Sequence, residues 1–183
     1  MQKPVVVILA AGRGERFRSS GGKTHKLDAL LDGVPVLERV LRTVRACGLP
    51  WHVVRPAEDT QGMGDSIAKG VRAAAAAPGW LILPADLPLV RAETLGQVAA
   101  GLVSHRVVVP RWQGSRGHPV GFRAECFDAL AGLSGDAGAA GIVRDCEASG
   151  LVLDLEVDDL GIQWDVDTVQ DLARIEARLK TGS

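Results

Sequence analysis

An apolar run at residues 4–8 leads directly into the sequence LAAGRGERF at residues 9–17. Such a run predicts a buried strand, and the glycines at 12 and 14 let the following loop adopt backbone conformations that side chains disfavour. Amide N–H groups of a loop like this can approach an anion closely, and Arg13 and Arg16 add positive charge. The pattern favours a phosphate-binding loop over the alternative, a tight strand-to-helix turn with solvated arginines.

Two well-known glycine-rich phosphate motifs do not fit this loop. A dinucleotide-binding fingerprint needs a third glycine where Phe17 stands, which argues against a Rossmann dehydrogenase. Gly22-Lys23-Thr24 resembles the end of a P-loop, but the first glycine of that motif would also fall on Phe17. We therefore expect the loop at 9–17 to bind phosphate without matching either of these two motifs.

The bulk composition predicts one soluble domain over residues 1–183, since the chain has 183 residues, 46% of them hydrophobic and 23% charged. No apolar stretch approaches the roughly 20 residues that cross a bilayer, and we expect neither a membrane anchor nor a signal peptide. The three cysteines are widely spaced and form no C-x-x-C pair, which argues against a disulfide framework or a zinc site. These features favour a reducing, cytoplasmic setting.

Charge is distributed unevenly along the chain. Residues 1–55 carry ten Lys or Arg and four Asp or Glu, whereas residues 124–183 carry four and thirteen. The net charge of −1 and the scarcity of aromatic residues argue against nucleic-acid binding and favour a local site for a small anion. Acidic residues of the second segment are candidate metal ligands.

Apolar runs at 4–9, 51–54, 80–83, 106–109 and 151–157 alternate with stretches of helical periodicity, which predicts an α/β fold. Apolar positions from Val36 to Val44 predict a helix that Gly48 ends, and a second helix is expected from Ile67 through Ala77. The segment 113–117 predicts a hairpin, and hence a mixed sheet. A last helix is expected over 169–179, with Asp167 or Thr168 as its N-cap.

Two acidic sites follow predicted strands. Asp86 stands at the end of the strand 81–83, between two prolines, and such strand ends are where α/β proteins bind ligands. Asp165 and Asp167 lie at another strand-to-helix junction, where alternation points both to the same side. We predict that Asp86 and one of this pair bind Mg²⁺, the alternative being that each aspartate caps a helix.

Further motifs accompany these sites in a recognisable order. After LAAG-x-x-x-R-F come Lys26-Leu27 and the sequence Gly33 to Leu37, followed by GMGDS at 62–66, PADLP at 84–88, GHPVGF at 117–122, GDAGA at 135–139 and DVDT at 165–168. This arrangement covers nearly the whole chain and resembles the MobA-like nucleotidyltransferases. The resemblance implies a single-domain, three-layer, Rossmann-like nucleotidyltransferase fold with a mixed, mostly parallel sheet.

The resemblance also implies roles for individual residues. Arg16, Lys26 and Asp86 would be catalytic, with Arg16 and Lys26 on the nucleotide phosphates, and Asp86 and Asp167 would hold Mg²⁺. The nucleotide would be bound by Leu9, Ala10, Ala11, Gly12, Arg13, Gly14, Arg16, Lys26, Gly62, Met63, Ser66 and Asp86. The acceptor would meet Gly117, His118, Asp136 and Gly138.

Within the family, LAAG combined with GHPVGF and GDAGA is similar to the cytidylyl branch, the molybdenum cofactor cytidylyltransferases. This likeness implies CTP as donor, molybdopterin as acceptor, and a molybdenum enzyme or its chaperone as recipient of the product. The alternatives are guanylyl transfer, another acceptor, or a nucleotide-binding module that delivers cofactor without turnover. Two departures bear on the site: residues 18–25 lengthen the link to Lys26, which makes Lys23 a rival, and Ala140 stands where relatives commonly place an arginine.

Overall fold

The computed structural model describes residues 2–57 and 62–181 as an α/β/α arrangement around one central sheet. The sheet strands are β1 (Val5–Leu9), β4 (Trp51–Val54), β5 (Gly79–Pro84), β6 (Val107–Trp112), β7 (Ser115–Arg116), β8 (Val120–Arg123) and β9 (Val152–Glu156), and β2 (Leu30–Leu31) and β3 (Val34–Pro35) form a separate hairpin. The helices are α1 (Glu15–Ser19), α2 (Val36–Cys47), α3 (Met63–Ala73), α4 (Ala92–Gly101), α5 (Phe127–Ala131), α6 (Ala140–Ala148) and α7 (Val169–Thr181), with 3₁₀ turns at Ala124–Cys126 and Leu160–Ile162.

The sheet is mixed, as the hairpin signal predicted. Its order is β4-β1-β5-β8-β6-β7, and β9 pairs with β6. β1 is parallel to β4 and β5, and β6 is parallel to β9. β8 lies antiparallel between β5 and β6, so β1, β4, β5, β6 and β9 point the same way. The predicted three-layer fold with a mixed, mostly parallel sheet is confirmed.

Alternation along the strands supplies a core on each face of the sheet. Val6 and Ile8 face one core with α2, α4 and α7, whereas Val7 faces the other with α3, α5 and α6. Because residues along a strand alternate between the two faces, an all-apolar strand such as β1 must be covered on both sides. The carboxyl ends of β1 and β5 are left open for a site.

One helix is shorter at its C-terminal end than the sequence predicts, and another ends where predicted. The helix expected through Ala77 ends at Ala73, because the Ala74 carbonyl accepts the indole N–H of Trp80 at 3.1 Å and the Ala77 N–H at 3.0 Å in a tight turn. The prediction for α2 is confirmed, with Gly48 in the left-handed conformation at its end. In the described ranges 2–57 and 62–181, none of the helices has the length and apolar character needed to cross a membrane.

Candidate active site

One large cavity opens at the carboxyl ends of β1 and β5. Its volume is about 1330 Å³, and its walls come from the glycine loop, the start of α3, the end of β5, the segment 116–118, the start of α6 and the segment 162–167. Of the seventeen residues predicted from the sequence, sixteen line this cavity: Leu9, Ala11, Gly12, Arg13, Gly14, Arg16, Lys26, Gly62, Met63, Ser66, Asp86, Gly117, His118, Asp136, Gly138 and Asp167.

Ala10 is the exception. Its side chain is 4% exposed and packs in the core, because it continues the alternation of β1 and points away from the cavity. Its N–H donates to Val54 O at 2.9 Å, which ties the start of the loop to the neighbouring strand. Ala10 therefore holds the loop in place rather than touching a ligand through its side chain.

The glycine loop turns sharply before α1. Gly14 has φ of 64°, and an added Cβ would lie 3.2 Å from the His25 ring. The His25 Nε2 atom is 2.8 Å from Gly12 O, so the loop is braced from behind by the segment that leads to Lys26. A side chain at 14 would be both strained and crowded, which explains the glycine there.

Three carboxylates meet at the other side of the loop. Asp86, Asp165 and Asp167 each offer an oxygen, and these oxygens lie within 4.8 Å of one another. The Lys26 ammonium donates to Asp86 at 2.6 Å and to Asp167 at 2.9 Å, and Arg16 donates to Asp167 at 2.8 Å. The Asp86 Oδ1 atom is buried and has no hydrogen-bond partner within the described chain.

Burial and the charges within the cluster together shift the pKa values of its members. Burial, together with the charges of Asp86 and Asp167, raises the pKa of Asp165. Burial also raises the pKa of Asp167, but hydrogen bonds and charge from Lys26 and Arg16 outweigh it and leave that pKa below its usual value. Burial lowers the pKa of Lys26, and its two aspartate partners more than reverse this effect. Three carboxylates against two cations leave room for further positive charge.

This donor set fits a divalent cation. The three oxygens lie within 4.8 Å of one another, close enough for the carboxylates to share one ion. Carboxylate oxygen is the ligand that hard divalent cations prefer, and the unpartnered Asp86 Oδ1 is a ready donor.

Neither Asp86 nor Asp167 caps the helix that follows it. Thr168 caps α7, since its Oγ1 accepts from Asp171 N at 3.1 Å and Asp171 accepts the Thr168 N–H at 2.9 Å. The N-terminus of α4 is held by Asp159, which accepts from Arg91 N at 2.9 Å. Asp86 and Asp167 are therefore both available to the cavity.

Lys26 and Lys23 occupy different environments. Lys26 lines the cavity and its side chain is only 13% exposed, whereas Lys23 is exposed and lies outside the cavity wall. Gly22, next to Lys23, packs against the Phe17 ring, and the element before this tripeptide is α1 rather than the strand that a P-loop requires. Of these two lysines, Lys26 is the one whose side chain reaches the cavity.

His118, predicted to meet the acceptor, also lines the cavity. The His118 Nδ1 atom is buried without a hydrogen-bond partner in the described chain, and burial lowers the pKa of this ring despite the opposing charge of Asp86. The backbone N–H of His118 donates to the backbone carbonyl of Ile162 at 2.9 Å.

Sequence reasoning missed Arg116, Arg144 and Gln163, which also line the cavity. Arg144 stands one helical turn after Ala140, and this spacing is the signal that would have found it.

The sequence model of the MobA-like NTP transferase domain matches residues 6–150. Purine catabolism protein PucB of Bacillus subtilis is 32% identical over 139 residues, which cover 69% of this chain and 67% of that protein.

Two solved structures share the fold. A nucleotidyl transferase from Methanothermobacter thermautotrophicus (Mth528) has a TM-score of 0.80 at 21% identity, with 99% of both chains covered. Rv0371c of Mycobacterium tuberculosis, solved in complex with manganese, has a TM-score of 0.73 at 23% identity, with 96% of this chain and 98% of that chain covered. On the family match and the PucB identity, the chain belongs to the MobA-like NTP transferase family.

Proposed function

We propose that this chain transfers CMP from CTP to a phosphorylated acceptor, molybdopterin, and releases pyrophosphate. The observation that carries the proposal is that the glycine loop, the aspartate cluster and the segment with His118 share one cavity of about 1330 Å³. Pockets for one drug-sized ligand usually measure about 300–1,000 Å³. The cavity therefore has room for two substrates side by side.

The reaction is an in-line displacement at phosphorus. An oxygen of the acceptor phosphate attacks the α-phosphorus of the nucleotide, and a new P–O bond forms as the bond to the β-phosphate oxygen breaks. Pyrophosphate leaves with the electron pair, and no covalent enzyme intermediate is needed. Catalysis by this chain consists of positioning and charge stabilisation: Arg16 and Lys26 offset charge on the phosphates, and the loop at 11–14 presents backbone amides.

Asp86 and Asp167, with Asp165 beside them, are the residues we assign to a divalent cation, Mg²⁺. The manganese complex of the structurally similar Rv0371c supports a divalent ion in this fold. When bound, the ion would offset negative charge on the triphosphate. The three carboxylates hold the site next to the glycine loop, so that phosphates bound by the loop lie beside it.

An anionic acceptor is supported by the unpaired positive charge in the cavity wall. Arg116 pairs with Glu147 and, at 3.5 Å, with Asp154. Arg144, by contrast, makes no ion pair or hydrogen bond with the residues that the structure describes. We assign Gly117, His118, Asp136 and Gly138 to the acceptor side of the cavity. Relatives commonly have an arginine at the position of Ala140, and we propose that Arg144 takes its place as the cation that contacts the acceptor phosphate.

The choice of a pyrimidine rests on Ala11. Its methyl group lines the cavity at the loop that would meet the nucleobase, and glycine there would leave more space for a purine. Guanylyl transfer and another acceptor remain the alternatives within the family. A delivery module without turnover is the alternative of a different class.

One experiment separates these functions. The purified protein is incubated with each of the four NTPs, Mg²⁺ or Mn²⁺, and molybdopterin, and products are identified by mass spectrometry. The proposal expects a CMP adduct of the acceptor together with pyrophosphate. A GMP adduct would assign the guanylyl alternative, and bound nucleotide without pyrophosphate would assign the delivery module.

A further inference from the structure

Two segments that line the cavity, 62–66 and 134–139, are held together by one carboxylate that has no part in the proposed site. Asp65 accepts the Gly62 N–H through Oδ2 at 3.1 Å and the Gly135 N–H through Oδ1 at 3.1 Å. The first contact is an ordinary cap at the start of α3. The second reaches a segment 70 residues away along the chain.

Both the backbone N–H and the backbone carbonyl of Gly135 form hydrogen bonds with residues of α3. Its N–H donates to Asp65, and its carbonyl accepts the Gly64 N–H at 2.8 Å. Gly135 itself has φ of 58°, in the left-handed region that glycine favours. The direction in which the chain continues to Asp136 and Gly138 therefore depends on the position of the first turn of α3.

At Gly62 and Gly64 the two segments also touch through their backbones. A Cβ added at Gly62 would collide with the Gly135 carbonyl, and one added at Gly64 would lie 2.6 Å from Ala137 O. Further along, the Met63 sulfur would be 3.1 Å from a Cβ at Gly138. Backbone-to-backbone contact of this kind leaves little freedom for one segment to move without the other.

We propose that Asp65 is a positioning residue that couples the two sides of the cavity, so that nucleotide bound against 62–66 orders 134–139 for the acceptor. This inference rests on the proposed function, because it takes 62–66 as the nucleotide side and 136–138 as the acceptor side. The coupling is a linkage between sites, so the acceptor must improve nucleotide binding by the same factor.

Asp65→Asn is the direct variant, because asparagine offers one acceptor oxygen where aspartate offers two, and its amide group cannot accept the second N–H. We expect the cap of α3 to survive and the bond to Gly135 to be lost. One net hydrogen bond corresponds to about a fivefold rise in KM for the acceptor, with a smaller change in KM for CTP. Glu93→Gln is the matched control, since it also removes one acidic charge from the first turn of a helix, α4, outside the cavity.

A second variant acts from the other side of the contact. Gly135→Ala adds a methyl group that meets nothing within 4 Å, so its effect is confined to the strained backbone at positive φ. Asp65 and α3 are unchanged in this variant. It should also weaken the coupling, and it keeps the inference testable if Asp65→Asn fails to fold.

The closing experiment is hydrogen–deuterium exchange on the full chain, with and without CTP and Mg²⁺ but without acceptor. In the wild type and in Glu93→Gln, CTP should slow exchange in peptides covering 62–66 and in peptides covering 134–139. In Asp65→Asn the protection at 62–66 should remain and that at 134–139 should fall, although the Gly64–Gly135 hydrogen bond and the backbone contacts stay in place. Undiminished protection of both segments in Asp65→Asn, or protection of 62–66 alone in the wild type, would overturn the coupling. If no NTP protects either segment, the proposed nucleotide site itself fails, and the coupling with it.

Discussion

The Lys26 ammonium lies 2.6 Å from an oxygen of Asp86 and 2.9 Å from an oxygen of Asp167. One lysine thus joins the end of β5 to the segment before α7, at the point where the glycine loop turns into α1. Placed there, it holds two carboxylates in position and keeps a positive charge beside any phosphate that the loop binds.

We expect Lys26→Ala to raise KM for CTP by roughly 10- to 100-fold, because charge-assisted hydrogen bonds contribute about 1.5–3 kcal/mol. Arg16→Ala should have a smaller effect, since the Arg16 side chain is 80% exposed and solvent screens its charge. Lys23→Ala, an exposed substitution outside the cavity, should change KM by about twofold or less. Steady-state kinetics on the three variants decide the matter, and a larger loss for Lys23 than for Lys26 would reassign the phosphate lysine.

Ala11→Gly should shift the base preference toward purines. Removing the methyl group enlarges the space at the loop, and steric exclusion of this size contributes about 1–3 kcal/mol. The ratio of kcat/KM for GTP to that for CTP should therefore rise by about tenfold or more. Competition assays with both nucleotides measure this ratio. A wild type that prefers GTP, or a variant with an unchanged ratio, would remove Ala11 from the account.

Much of the fold could be predicted because it rests on local patterns. The apolar runs gave β1, β4 and β5, and Gly48 marked the end of α2. The end of α3 could not be predicted, because it depends on the Trp80 indole, which reaches the Ala74 carbonyl only in the folded chain. Local sequence favoured a longer helix through the alanine run, but the chain turns after Ala73, where the Ala74 carbonyl accepts from Ala77 and Trp80.

The candidate site could likewise be predicted only in part. Asp86 follows β5, as predicted, and strand ends are where such sheets bind ligands. The strand predicted directly before Asp165 and Asp167 is absent from the described chain: β9 ends at Glu156, and a 3₁₀ turn at Leu160–Ile162 and an irregular segment lead to α7. Whether Asp165 or Asp167 joins Asp86 could not be decided from spacing, and the structure brings both into the cluster. The bridge from Asp65 to Gly135 left no sequence signal, since nothing local indicates a partner so far along the chain.

Burial of Cys126 makes a prediction about pH. Burial and the neighbouring Cys146 raise the pKa of the Cys126 thiol to about 12, against 9.0 for an ordinary cysteine. The unfolded chain loses this proton at lower pH than the folded chain does, so the free energy of unfolding should fall as pH rises from 9 to 12. Denaturant unfolding across this range should show the decline, and Cys126→Ala should show less of it. An equal decline in both would assign the effect to other groups.

Asp159 should matter for stability far more than its neighbour Asp158. Asp159 is 2% exposed, and its carboxylate accepts from Arg91 N at 2.9 Å, Thr94 Oγ1 at 2.6 Å and Gly161 N at 2.9 Å. Asp159→Ala leaves three donors without this partner and should lower the free energy of unfolding by about 2–4 kcal/mol. Asp158→Ala, at an exposed position, should change it by about 0.5 kcal/mol or less. Equal effects in urea denaturation would contradict the assigned role.

Pyrophosphate release from CTP, with molybdopterin as acceptor and across a titration of Mg²⁺, should separate wild type and Asp158→Asn from Asp86→Asn. Asp86→Asn changes a charge in the aspartate cluster with little change in volume, and a loss of several kcal/mol in transition-state stabilisation lowers turnover by about a thousandfold or more. Asp158→Asn removes the same charge from an exposed side chain outside the cavity and should match the wild type. Near-normal release by Asp86→Asn at limiting Mg²⁺ would contradict the account.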